Sequence, residues 1–249
     1  MKTPFKWILA GLILILPLWI VAQDYVQYET IYLKPDTKHL GTLQANMKAH
    51  NDKYHSDAPY HANVWQVSNG PKAGWLVWAM GPCTFSENDG RPGEGGHDED
   101  WANNVMPYIT DMGSIEYWRR DDDLSVPPDN PTPMIYIRFW EVRPNKGFLM
   151  GDLWEKISET HKSMGEGHAW SLFENEFRQG DLGRHFAETW PMNGWSDLDQ
   201  GNNFRAAFEK IYGEAAWTPF FRTMNEAFVN SYDEIWTLMP GMSAPPPEN

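Results

Sequence analysis

Two histidines open matched stretches of the chain, and imidazole is the side chain best suited to bind a metal or move a proton near neutral pH. His61 starts the run His61-Ala62-Asn63-Val64-Trp65, and His168 starts His168-Ala169-Trp170. Alternate residues of a strand share a face, so His61 groups with Asn63 and Trp65, while His168 groups with Trp170 and Leu172. If both faces turn into one cavity, two imidazoles and two indoles approach a small molecule, a metal or a haem iron from opposite sides. The simpler alternative is that each imidazole hydrogen-bonds loop backbone and fixes the entry to its strand. Glu29 and Arg138 fall at equivalent positions of the first strand in each stretch, where an acid opposite a base could orient a polar ligand or form a structural ion pair. His50, His55 and His161 lie near helix ends and could add ligands or favour the negative helix terminus. His185 is a weaker candidate for the same cavity.

The densest set of hard oxygen donors is Glu94-Gly95-Gly96-His97-Asp98-Glu99-Asp100, which could hold a divalent cation. Its spacing matches neither an EF-hand nor an HExxH helix, and a solvated acidic loop is the simpler reading. Asp121-Asp122-Asp123, beside Arg119 and Arg120, reads the same way. No Gly-rich phosphate loop with a following lysine and no GxSxG elbow is present.

The elements that would position these residues recur at a spacing of about 109 residues. Tyr28, Lys34-Pro35, Gly74 and Pro82 in the first stretch answer to Ile137, Arg143-Pro144, Gly183 and Pro191 in the second. The first stretch predicts a strand over 25–34, a helix over 38–54 started by Asp36 or Thr37, and a hairpin of strands over 60–67 and 74–80. Trp101, Val105 and Tyr108 then share a helical face, and 121–126 could form a short edge strand. Residues 127–133, with four prolines, read as a linker. The second stretch predicts strand 134–142, helix 148–162, strands 168–177 and 184–190, helices 203–212 and 215–230, and a last strand over 233–239. Trp75, Val77 and Ala79 alternate with Leu76, Trp78 and Met80, so this strand is apolar on both faces and needs cover on both.

Each half is thus an α+β unit of βαββαβ order, and two such units with their uncovered faces packed together make a pseudo-dimeric α+β barrel. In element order and duplication the chain resembles the dimeric α/β-barrel superfamily of ferredoxin-like units, in tandem-fused form, including NIPSNAP-like and antibiotic-biosynthesis monooxygenase-like proteins. That resemblance implies a barrel with a site between the halves and oxidative chemistry of the monooxygenase kind. It carries no catalytic residue across.

Lys2 and Lys6 followed by the apolar run Ile8 to Val21 read as an export leader over 1–23, leaving units over 24–126 and 134–240 and a disordered tail over 241–249. Without the two leader lysines, 18 basic residues face 34 acidic ones, a net charge of −16, which argues against nucleic acid as a partner. Cys83 is the single cysteine, so no intramolecular disulfide and no cysteine-rich zinc site can form. The expectation is an exported protein without a stable membrane span, monomeric as a pseudo-dimer or homodimeric. It would bind a small apolar or aromatic molecule between its halves, through His61, Asn63, Trp65, His168, Trp170, Arg138 and Glu29. A non-catalytic scaffold and a haem or metal protein are the alternatives; the sequence names no cofactor.

Overall fold

The computed structural model describes residues 25–246 except positions 92, 94, 166, 180 and 181, so the leader reading over 1–23 lies outside the described residues. Strand β1, Val26–Pro35, ends where the Asp36 side chain accepts from the Lys38 amide at 2.9 Å and starts a 3-10 turn, Thr37–His39. Helix α1, Leu40–Tyr54, follows and buries Leu43, Met47, His50 and Asn51, a stripe at three- and four-residue spacing. Strands β2, Ala62–Val67, and β3, Leu76–Cys83, form the expected hairpin.

The segment to the fourth strand departs from expectation. A short helix α2, Phe85–Asn88, is held by a Thr84–Glu87 capping box, and helix α3, His97–Asp100, follows the left-handed Gly95 and Gly96. The chain then winds as a π-helix over Trp101–Val105 and a 3-10 turn over Met106–Tyr108. Strand β4 is Ile109–Arg120, not 121–126, and Val126 makes only an isolated bridge to Trp170. Gly113 hides β4 from a sequence reading, since glycine and polar neighbours break the strand signal. Its missing side chain is what lets β4 approach β1, because a Cβ there would sit 2.9 Å from the Cβ of Tyr32.

In the second half, β5 spans Met134–Val142, α4 Met150–Met164, β6 Ser171–Asn175 and β7 Phe186–Met192. Helices α5, Phe204–Tyr212, and α6, Glu214–Ala227, precede β8, Phe228–Leu238. The eight antiparallel strands close a barrel in the order β1-β3-β2-β8-β5-β7-β6-β4. Read within each half, the order is 4-1-3-2, that of a ferredoxin-like unit, and β2–β8 and β4–β6 pairs join the halves.

Side chains from all eight strands fill the barrel, among them Tyr32, Trp65, Val77, Trp118, Phe139, Phe173, Ala187 and Trp236. The outer faces are covered by α1 in the first half and by α4, α5 and α6 in the second. Each fully buried Leu or Phe contributes about 2 kcal/mol. The tail is not free along its described length: Ala244 donates to the Ala62 carbonyl at 2.9 Å, Ser243 Oγ accepts from the Val64 amide, and Met242 is buried. These bonds continue the β8 path along the edge of β2, satisfying backbone groups that would otherwise be unpaired. No helix among the described residues is long and apolar enough to cross a membrane.

Candidate metal centre

The histidines singled out first do not meet. On β6, Phe173 enters the barrel while Leu172 joins the outer cluster, so by alternation Trp170 belongs to the outer set, and it is buried there beneath the helices. On β2, Trp65 and Val67 face inward, which puts Asn63 and His61 on the inner set. The two His-Ala pairs are therefore one residue out of step across the repeat, and a one-residue slip exchanges the faces. His61 is buried with Nε2 donating to the Pro245 carbonyl at 3.0 Å, a backbone-anchoring role, and Asn63 is half-buried. His168 is exposed in the loop before β6.

Glu29 and Arg138 also stay apart, each in its own ion pair on an outer face. Arg91 Nη2 donates to Glu29 at 2.6 Å, and Arg138 holds Asp233 through Nε and Nη2 at 2.8 and 3.0 Å. His161 lies flat on Trp170, 4.8 Å between ring centroids, and His185 Nδ1 accepts from the Val142 amide. Asp122 pairs with Arg120, and Asp121 caps the Leu124 amide.

The barrel interior is a polar network, not an open chamber of histidines. Two Glu-x-Trp units face inward, Glu116 to Trp118 and Glu234 to Trp236, and each carboxylate accepts from the indole two residues on, at 3.0 and 2.7 Å. Arg184 Nη2 lies 3.1 Å from Glu116 and donates to Tyr32 Oη at 2.8 Å, and Tyr32 in turn donates to Glu234 at 2.7 Å. The guanidinium rests 3.7 Å over the Phe139 ring. Arg184 and Glu234 come from the second half and Tyr32 and Glu116 from the first, so the network ties the halves together.

A different set of side chains converges outside the barrel, between α1 and the segment that follows β3. One ring nitrogen from each of His50, His55 and His97 lies within 4.8 Å of the other two. Nε2 of His55 and Nε2 of His97 are 3.0 Å apart, and Nε2 of His50 is buried without a partner. Every Nδ1 is engaged behind its ring: His50 with Asp100 Oδ2 at 2.7 Å, His55 with the Tyr60 carbonyl at 2.9 Å, His97 with Asp98 Oδ1 at 2.7 Å. A carbonyl or a carboxylate can only accept, so each Nδ1 carries a hydrogen, and in a neutral ring the lone pair is then on Nε2. Oxygen acceptors behind imidazoles in this way are the usual outer shell of metal-ligating histidines, fixing tautomer and ring orientation.

Local folding explains the convergence. His50 is on the buried stripe of α1, and His55 closes the same helix, its backbone amide bonding the Asn51 carbonyl. Gly95 and Gly96, both at positive φ, turn the chain so that α3 brings His97 over them. Tyr54 Oη donates to the Gly95 carbonyl at 3.1 Å and fixes that turn. Trp78, Trp101 and Tyr54 wall the site, with ring centroids 5.0 to 5.1 Å from the nearest imidazoles.

Burial pushes the His55 pKa down to about 3 against the opposing Tyr60 carbonyl, helped by the charges of His50 and His97. Burial also lowers His50. Both imidazoles are therefore neutral near pH 7, the form that binds metal. Burial works to raise Asp100, but hydrogen bonds from His50 and Asn104 hold it below its ordinary value. The acidic loop thus places one imidazole beside His50 and His55 and two carboxylates behind the rings; Glu94 lies outside the described residues. The signal that could have joined His97 to His50 and His55 is absent from a linear reading, since 42 residues separate His97 from His55.

No protein-family model and no curated protein matches the sequence. Among solved structures, a chlorite dismutase-like protein superposes at a TM-score of 0.51 with 10% identity, covering 87% of this chain and 96% of that one. A variant chlorite dismutase from Candidatus Nitrospira defluvii in complex with cyanide superposes at 0.53 with 10% identity, covering 87% and 92%. At this identity the likeness speaks to fold. The chain carries two ferredoxin-like units fused in tandem and closed into one α+β barrel, the fold it shares with those structures.

Proposed function

We propose that this protein binds one divalent transition-metal ion through His50, His55 and His97, and that the metal is the seat of its activity. The observation that carries this reading is the convergence of one ring nitrogen from each of three histidines, with an oxygen bonded to every Nδ1. Two lone pairs 3.0 Å apart repel unless a cation or a proton lies between them. Imidazole ligands suit zinc, copper, iron and nickel. Such an ion supplies Lewis acidity or, if redox-active, electron transfer. His50, His55 and His97 hold it, Asp98, Asp100 and the Tyr60 carbonyl orient the rings, and Trp78, Trp101 and Tyr54 exclude bulk water.

The metal alternative of the sequence reading is thereby preferred to a small aromatic ligand between the halves, because side chains fill the barrel where that ligand would sit. Haem finds less support. His161 is stacked on Trp170 and packed 5.1 Å from the Phe204 ring, and cavities of about 340 and 290 Å³ have no histidine in their walls. The reaction of the chlorite dismutases is not transferred, since only their fold is shared. The leader over 1–23 supports export, which N-terminal sequencing of the mature protein would check.

Metal analysis of protein purified without chelator tests the reading. The expected result is about one transition-metal ion per chain, lost in His55→Ala and His97→Ala with the circular dichroism unchanged. Wild-type protein that neither contains nor takes up zinc, copper, cobalt, iron or nickel contradicts it.

A further inference from the structure

We infer that the metal's remaining coordination position is exchangeable and takes water or a small monoanion, such as hydroxide, azide or cyanide. This rests on the metal reading above and deepens it by naming the class of ligand the ion accepts.

Three histidines form the set, and among the described residues no carboxylate or thiolate joins them within the same 4.8 Å. The two nearest acids are already committed on the wrong side of the rings. Asp98 and Asp100 bond Nδ1 atoms, across each imidazole from the metal-facing Nε2, and the second oxygen of Asp100 accepts from Asn104 Nδ2 at 2.7 Å. Tyr54 spends its hydroxyl hydrogen on the Gly95 carbonyl. The Cys83 thiol is turned towards Asn88 and Gln27. Structural zinc sites close with four side chains, whereas three protein ligands leave a position for an exogenous ligand.

Size and charge then limit what enters. The indole and phenol walls of Trp78, Trp101 and Tyr54 stand against the imidazoles, so a ligand of a few atoms fits more readily than a bulky one. The side chain of His50 is wholly buried while that of His97 is 16% exposed, which puts the approach from solvent beside His97. A divalent ion brings positive charge to this partly buried site, and a bound monoanion offsets part of it.

The test is an azide titration of the cobalt(II)-loaded full chain, followed by its visible d–d absorption. The expected result is a saturable shift of the cobalt bands with one azide per cobalt, reversed on dialysis. Cobalt bound in a tetrahedral environment whose bands do not move with azide means a fourth side chain closes the site; that overturns this inference and leaves the metal reading standing. Failure to bind cobalt or any other divalent transition metal overturns both. His168→Ala, exposed in the loop before β6 of the other half, is expected to titrate like the wild type.

Discussion

Nε2 of His55 lies 3.0 Å from Nε2 of His97, and the Nδ1 hydrogen of each ring is given away on its far side, to the Tyr60 carbonyl and to Asp98. Two acceptors held face to face in a partly buried site call for a metal cation or a shared proton between them. The oxygens behind the rings are what keep the nitrogens aimed at each other when the ion is absent, so the outer shell should matter nearly as much as the ligands.

The first prediction follows from that outer shell. Asp100→Asn keeps the shape of the side chain but removes the charge that polarises His50, and metal affinity should fall by about 10–100-fold. Competition against a chromophoric chelator measures it. Unchanged affinity would mean that Asp100 does not orient a ligand.

The barrel network makes a second, separate prediction about stability. Arg184→Met leaves Glu116 buried without its cation, and loss of one partner from a buried pair costs about 3–5 kcal/mol. Arg184→Met combined with Glu116→Gln should recover a large part of that loss. Urea unfolding of the wild type, both single variants and the double variant decides it, and additive losses would show that the two residues do not interact.

Glu188 gives a pH dependence with a definite sign. Burial raises its pKa to about 7, against hydrogen bonds from Trp140 and Trp170 at 2.6 and 3.0 Å. The folded protein therefore holds this proton more tightly than the unfolded chain does. Its contribution is fully present below about pH 4.5 and is lost as pH rises through 7, a change of about 3 kcal/mol at most. Glu188→Gln should lose less melting temperature than the wild type between pH 5 and pH 8, and parallel losses would contradict the assignment.

His161 works in the opposite sense. Burial lowers its pKa to about 4, so the stability it contributes is present above pH 6.5 and is lost as pH falls through 4. His161→Gln should flatten the acid limb of the stability curve. An acid limb as steep as that of the wild type would show that His161 is not the group being charged.

Much of the barrel was legible because it rests on alternation and repetition. β5 was expected over 134–142 and is found there, and the two-faced apolarity of β3 correctly demanded cover on both sides. β4 was missed because Gly113 and its polar neighbours weaken the very strand they allow to pack against Tyr32. The pairing of His61 with His168 failed for a geometric reason, since a one-residue offset within the repeat sends one inward and the other outward. The proposed metal centre is visible in the sequence only as two separate features, histidines at the end of α1 and a histidine within an acidic loop. Nothing linear joins them; the left-handed turn at Gly95 and Gly96 does.

The most direct measurement is anomalous diffraction at the absorption edge of the bound metal, from crystals of protein purified without chelator. The account expects one strong peak between the Nε2 atoms of His50, His55 and His97, at about 2.0–2.1 Å from each if the ion is zinc. Crystals grown with excess zinc that show no peak there, with the three rings in place, would contradict it.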